Sequence, residues 1–292
     1  VDGGRRDTME NTVVAGKKPK MHRGTIALYI VAIVWTVITL FPVVVTVLAS
    51  FKSNSEIYLN LLSFPKKFMT ENYINANKTA DALHTIFNSL VVATLTTILN
   101  TAVGMLAAYI LSRKDYKFLK YVYLFFMIGV MVPVHCTLIP INNIATALNA
   151  KNNLFFLILI YVAFGMSQAI FLYTGFMDGI SRNLDEAAII DGCNDWQLLW
   201  KILFPVCKPI IATEAIFIFI SGYCELVFSM ILMTDSKYFT VSRAMLNFSS
   251  AHTQEIGNQF AFVVMSVIPM FIIYVLFHKQ IEKGMLSGAI KG

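Results

Sequence analysis

The chain has 292 residues, of which 57% are hydrophobic and only 14% charged, and its formal net charge is +6. Soluble domains run nearer roughly 45–50% apolar and about 25% charged, so this composition excludes an ordinary water-soluble enzyme. The basic residues flank apolar blocks and form no basic helix interleaved with aromatics, which points to membrane topology and away from nucleic acid.

Residues 1–24 form a polar tail, in which 1–8, ahead of Met9, are set aside from functional reasoning. The block 25–51 is too long for a signal-peptide core and ends without a small-residue cleavage site, so it reads as a retained membrane helix. Five further apolar blocks follow at 84–111, 118–141, 153–177, 209–233 and 259–278. Each is near or above the roughly 20 residues that cross a hydrocarbon core. Lipid offers the backbone no hydrogen bonds, and no strand-like alternation appears, so the spans are expected to be helices. The predicted fold is all-α, with a six-helix transmembrane domain over 25–278 and a C-terminal tail over 279–292.

Six spans place both termini on one side. Sixteen of the 23 Lys and Arg fall on the N-terminal tail, the 112–120 turn, the 179–208 loop and the C-terminal tail. The other connections hold seven, so the first set is expected to face the cytoplasm. The four cysteines (Cys136, Cys193, Cys207, Cys224) form no CxxC pair and read as free thiols, with neither a zinc site nor a disulfide framework indicated.

The 179–208 loop reads as two short helices. Asn183 with Glu186 three residues on predicts a capping box, and Asp185 and Glu186 suit the first turn. Gly192 is expected just past the end of that helix. Asn194 or Asp195 would cap a second helix, with Trp196, Leu199, Trp200 and Leu203 on one apolar face. Pro205 and Pro209 then break or bend the chain before span five. Such a pair could lie on lipid, pack on its own helices or dock on another protein.

Glu225 lies near the middle of span five, where an ionised carboxylate costs roughly 2.5–3.5 kcal/mol, so it is expected to face the bundle interior or a wet cavity. It reads either as a substrate-hydroxyl acceptor or gate, with Tyr223 as a partner, or as an interhelical hydrogen bond. Glu214 is expected to reach water near the cytoplasmic end and takes no role. Asn88, Asn100 and Gln168 suit helix–helix contacts, and a lone His135 reads first as a packed histidine. No GxxxxGK[ST] occurs, so the chain is not expected to bind or hydrolyse ATP, and no cofactor or metal site is predicted in it.

Glu186-Ala187-Ala188, then Gly192, then Ile202-Leu203-Phe204-Pro205 resembles the EAA motif of permease subunits of binding-protein-dependent ABC importers. The resemblance covers nearly all of 25–292 and is nearest the carbohydrate-uptake branch. Asn88-Ser89, Met131-Val132-Pro133, Ile139-Pro140 and the 283–292 ending are similar to that branch, whereas Tyr223, Cys224 and the 237–250 stretch depart from it. The resemblance implies a bacterial inner-membrane protein with a second permease, two ATPase subunits holding ATP and Mg, and an extracytoplasmic solute-binding protein that delivers a carbohydrate. It implies that Glu186, Ala187, Ala188, Gly192, Ile202 and Pro205 couple to the ATPase. It leaves Glu225, Tyr223 and Asn88 as candidates for the substrate path. The alternatives are a permease for a non-sugar solute such as a glycerol phosphate, or an ion-gradient-driven secondary transporter. The latter needs paired intramembrane charges and internal symmetry, and neither is apparent.

Overall fold

The computed structural model describes residues 23–248 and 255–289, all helical or irregular. The expectations on the N-terminal tail, on residues 249–254 and on the last three residues lie outside the described residues.

Residues up to Val45 form one unit and those from Thr46 another. The first contains most of α1 (Arg23–Ala49), whose apolar side chains are exposed along its length, as a lipid-facing helix requires. It carries Pro42 within the helix.

In the second unit, α2 (Asn54–Leu59) and α3 (Glu71–Ala80) occupy the connection after span one, which sequence periodicity does not announce. Asn72 of α3 donates to the carbonyls of Ser50 and Lys52, both at 2.8 Å. Asp81, in the left-handed region at φ 45°, turns the chain into α4 (Ala82–Arg113). At 1.5 Å per residue α4 is about 48 Å long, more than the bilayer core.

Span three is not one helix, contrary to the expected 118–141 block. α5 (Leu119–Met131) stops before Pro133, whose ring disfavours helix at Val132. After a 3₁₀ turn at Val134–Thr137 the chain leaves along α6 (Leu138–Ala147), bent by 95° from α5. α7 (Leu154–Asp178) begins where Asn153 accepts from the backbone N–H groups of Phe155 and Phe156.

The loop after α7 holds α8 (Asn183–Ile190), α9 (Asp195–Gln197), a π-helical stretch over Leu198–Leu203 and α10 (Phe204–Val206). α11 (Lys208–Cys224) then turns away at 81°. Span five breaks at Glu225 and resumes as α12 (Val227–Leu232). α13 (Val241–Met245) precedes α14 (Ile256–Ala289), which continues through the backbone of the predicted tail. Among the described residues four helices are long and apolar enough to cross a membrane, and the two bent pairs bring the total to as many as six.

α4, α7 and α11 form the packed centre. Small residues let them approach, in place of a hydrophobic driving force that lipid does not provide. A Cβ on Gly104 would sit 3.0 Å from Ala169 Cβ, and one on Gly165 would sit 2.6 Å from both Asn100 Nδ2 and Ile218 Cδ1. Two apolar clusters result. One gathers Val92, Leu157, Tyr161, Phe228 and Phe262; the other lies beneath the α8–α10 loop around Met105, Tyr173, Met177 and Leu199.

The connections sort into two ends. Asn152 bonds Thr234 and Asp235, and Asn88 bonds Lys237 and Phe239. The 112–120 turn instead meets the α8–α10 loop. This alternation is what successive crossings of one slab produce.

Candidate functional site

The α8–α10 loop is bolted to the end of α4. Asp185 and Ala188, three residues apart, form the inward face of α8. Asp185 Oδ2 lies 2.6 Å from Arg113 Nε, with both side chains nearly out of solvent. The same guanidinium donates to the carbonyls of Met177, in the last turn of α7, at 3.0 Å and of Ile180, just beyond it, at 3.3 Å. Arg182 donates to the Ser112 carbonyl at 3.2 Å and pairs with Asp115 at 3.4 Å. Burial pushes the Asp185 carboxyl up from its ordinary range, and the Arg113 charge pulls it back.

The predicted capping box at Asn183 does not form. Arg182 is the N-cap, and Ser181 Oγ accepts from the Asn183 N–H instead. Asn183 is already inside the helix, so Glu186 is left exposed. Gly192 has φ 83°, a left-handed position that closes α8 as predicted. Asn194 caps α9 in a reciprocal box with Gln197, at 2.8 and 3.1 Å.

Asp195 stays at the surface. Its Oδ1 accepts from Tyr109 Oη at 2.7 Å, and Lys114 Nζ donates to both oxygens, at 2.9 and 2.7 Å. The Lys114 bond, then that from Tyr109, holds this carboxyl below its ordinary range.

The expected apolar face of the second helix is shifted. Leu198, Leu199 and Leu203 are buried, whereas Trp196 is 62% exposed. The π-helical turn closes its hydrogen bonds one residue further along than an α-helix does, which moves the buried stripe off the 3.6-residue period. Trp196, Trp200 and Phe204 form a string of rings with centroids 5.6 and 5.2 Å apart. Ala187 is exposed, but Ala188 is spent in the chain's own core. The outward surface is Glu186, Ala187, Ile189, Ile190 and Gly192, with Pro205 also exposed and Ile202 half-buried.

The three residues considered for the substrate path do not converge. Asn88 is buried and donates to the carbonyls of Lys237 and Phe239, both at 3.0 Å. Tyr223 is buried, and its hydroxyl donates to the Ser266 carbonyl of α14 at 2.8 Å. Glu225 accepts from Tyr161 Oη at 2.5 Å and from the N–H groups of Phe228 at 2.9 Å and Ser229 at 3.2 Å. It therefore joins α7 to the break in span five and caps the start of α12. Glu214, expected to reach water, is fully buried; Gln168 Nε2 donates to its Oε2 at 3.1 Å.

Glu225 does line a cavity of ≈ 210 Å³ at this break, together with Tyr161, Phe164, Gln168 and His135. Sequence reading missed Tyr161 and Phe164, because an aromatic in an apolar span carries no local signal. A larger hollow of ≈ 510 Å³ is lined by residues of the 53–69 segment, including Glu56, Lys66 and Lys67, and by no spanning helix.

The profile of the binding-protein-dependent transport system inner membrane components matches residues 100–287. The chain is 30% identical over 268 residues to the multiple sugar-binding transport system permease protein MsmG of Streptococcus mutans, covering 90% of this chain and 96% of that one. It is 29% identical over 261 residues to the diacetylchitobiose uptake system permease protein NgcG of Streptomyces coelicolor, covering 89% and 86%. It is 27% identical over 284 residues to the maltodextrin transport system permease protein MalD of Streptococcus pneumoniae, covering 94% and 98%. Its fold matches a crystal structure of a bacterial ABC transporter involved in the import of the acidic polysaccharide alginate, with TM-score 0.74 at 20% identity over 90% of this chain and 99% of that one. With a profile match over most of the chain and relatives aligned nearly end to end, the chain belongs to the binding-protein-dependent transport system inner membrane components, as a permease subunit of an ABC importer whose ATPase is a separate subunit.

Proposed function

We propose that this permease imports a carbohydrate handed over by an extracytoplasmic binding protein, and that the α8–α10 loop couples it to a partner ATPase. The sugar assignment is supported by the relatives, whose names speak of multiple sugars, diacetylchitobiose and maltodextrin. A second permease, a different chain, completes the path, and two ATPase subunits hold ATP and Mg. The chain lies in a bacterial cytoplasmic membrane with six spans and both termini inside. The charge asymmetry, 16 basic residues against seven, supports that orientation.

The carrying observation is the division of the loop into two faces. Its inner face, Asp185 and Ala188, is fixed to α4 and α7; its outer face leaves Ile189 58% and Ile190 85% exposed beside Glu186. An element held rigidly on one side and apolar on the other passes a partner's movement into the spanning helices it is bolted to. Glu186, Ala187 and Gly192 meet the ATPase directly. Ala188, Ile202 and Pro205 shape the support behind them.

Gly192→Trp tests this. The complete transporter carrying it should remain in the membrane and lose sugar uptake in proteoliposomes while ATP hydrolysis no longer responds to the loaded binding protein. Full uptake by this variant would remove the loop from coupling.

A further inference from the structure

The cavity beside the break in span five has a chemistry of its own. Phe164 and Phe228 form a tilted pair with centroids 5.2 Å apart, and His135 extends the set, 6.3 Å from Phe228. These rings present an apolar wall. Opposite kinds of group share the lining. Gln168 and Ser221, both exposed, supply polar groups.

Glu225 is the one carboxylate in the lining, and no Lys or Arg lines the cavity. Three donors fix its position, one on Oε1 and two on Oε2. A carboxylate has about four acceptor positions, so one remains free. The volume, ≈ 210 Å³, lies below the roughly 300–1,000 Å³ of sites for drug-sized ligands. It suits one ring and no larger unit.

We propose that this cavity is a subsite for a single uncharged pyranose ring, and that Glu225 turns anionic sugars away from it. A pyranose has an apolar C–H face and a rim of hydroxyls. The face lies against Phe164, and the hydroxyls meet Ser221, His135 and the free position on Glu225. A uronate or phosphate brought to the same place meets a carboxylate with no cation to offset it. The subsite rests on the carbohydrate reading given above, and narrows it to neutral sugars.

The test uses the complete transporter in nanodiscs without its binding protein, and saturation-transfer NMR with methyl pyranosides. The probes are the methyl glycosides of glucose, galactose, mannose and N-acetylglucosamine, each of the first three beside its uronate. At least one neutral glycoside should give signal, and its uronate should bind at least tenfold more weakly. Ser221→Phe, at an exposed position, should abolish the signal of the neutral ligand by filling the cavity. Glu225→Gln should bring the uronate within about threefold of the neutral sugar. Equal binding of uronate and neutral sugar to the wild type overturns the proposal. So does a neutral-sugar signal that Ser221→Phe leaves unchanged, or the lack of any signal from the four. Uptake with the cognate binding protein is measured in parallel: sugar uptake with a failed subsite test sinks the subsite alone, whereas uptake restricted to non-sugar solutes sinks the carbohydrate reading itself.

Discussion

Arg113 Nε and Asp185 Oδ2 lie 2.6 Å apart, and the two side chains retain only 5% and 11% of their exposure. One is the last residue of α4 and the other sits in the first turn of α8, so the pair ties the α8–α10 loop to a spanning helix. Removing either partner leaves a buried charge uncompensated, which costs about 3–5 kcal/mol. Arg113→Ala also removes one donor from each of the Met177 and Ile180 carbonyls, of which Met177 keeps the Ile180 N–H. It should therefore lower the thermal midpoint of the purified transporter more than Asp185→Ala does. Arg113→Met with Asp185→Leu should cost less than the sum of the single changes, as a double-mutant cycle would read.

Gly192 separates backbone strain from steric bulk. A Cβ there meets nothing within 4 Å, but φ is 83°. Gly192→Ala should cost roughly 1–2 kcal/mol from the left-handed backbone alone. Gly192→Asn should recover part of it, since asparagine tolerates that region. The ratio of sugar moved to ATP hydrolysed should fall for alanine and partly return for asparagine.

Tyr161→Phe deletes one donor to the Glu225 carboxylate. The expected cost is about 1.5–3 kcal/mol, the range for a hydrogen bond to a charged group. Glu225→Ala removes that bond and both backbone caps on α12, so it should destabilise more. Thermal unfolding of the two variants in the same detergent gives the order.

Asn88→Ala should lower the amount of folded protein in the membrane and leave sugar affinity unchanged. The Phe239 carbonyl loses its donor and that of Lys237 keeps only His84, at a cost of roughly 1–3 kcal/mol. Expression level and uptake at limiting sugar, measured together, separate this structural role from a place on the path.

The Asp195 carboxyl is held below its ordinary range, so its bonds to Lys114 and Tyr109 stabilise the folded loop. That contribution is complete above the unfolded value of about 3.9 and is lost as pH falls through the lower folded value. The protection factors of residues 194–198, with exchange corrected for its intrinsic pH dependence, should stay constant between about pH 5 and 7 and fall at stronger acidity. Asp195→Asn should show lower protection already at neutral pH and no further fall in that acid window. Asp195 is mostly exposed, so added salt should weaken the wild-type protection.

The end of α8 and the start of α9 were legible in the sequence, because helix ends are local: Gly192 and Asn194 act on neighbours within five residues. The three polar residues considered for the substrate path were not legible in the same way. Their partners are 64 residues away for Glu225, 43 for Tyr223 and about 150 for Asn88. Glu225 looked like a costly charge in mid-helix and is instead the residue at which the helix stops.

The sequence by itself determined that this chain lives in lipid, which connections carry the positive charge, and where the 179–208 loop bends. Those properties follow from composition, block length and nearest neighbours along the chain. Only the tertiary structure decided which polar residues are spent on packing and which remain available. Asn88 and Tyr223 satisfy distant carbonyls, Ala188 fills the core under the loop, and Glu225 lines a cavity. A buried polar atom must find a partner, and which partner it finds depends on how helices far apart in sequence cross.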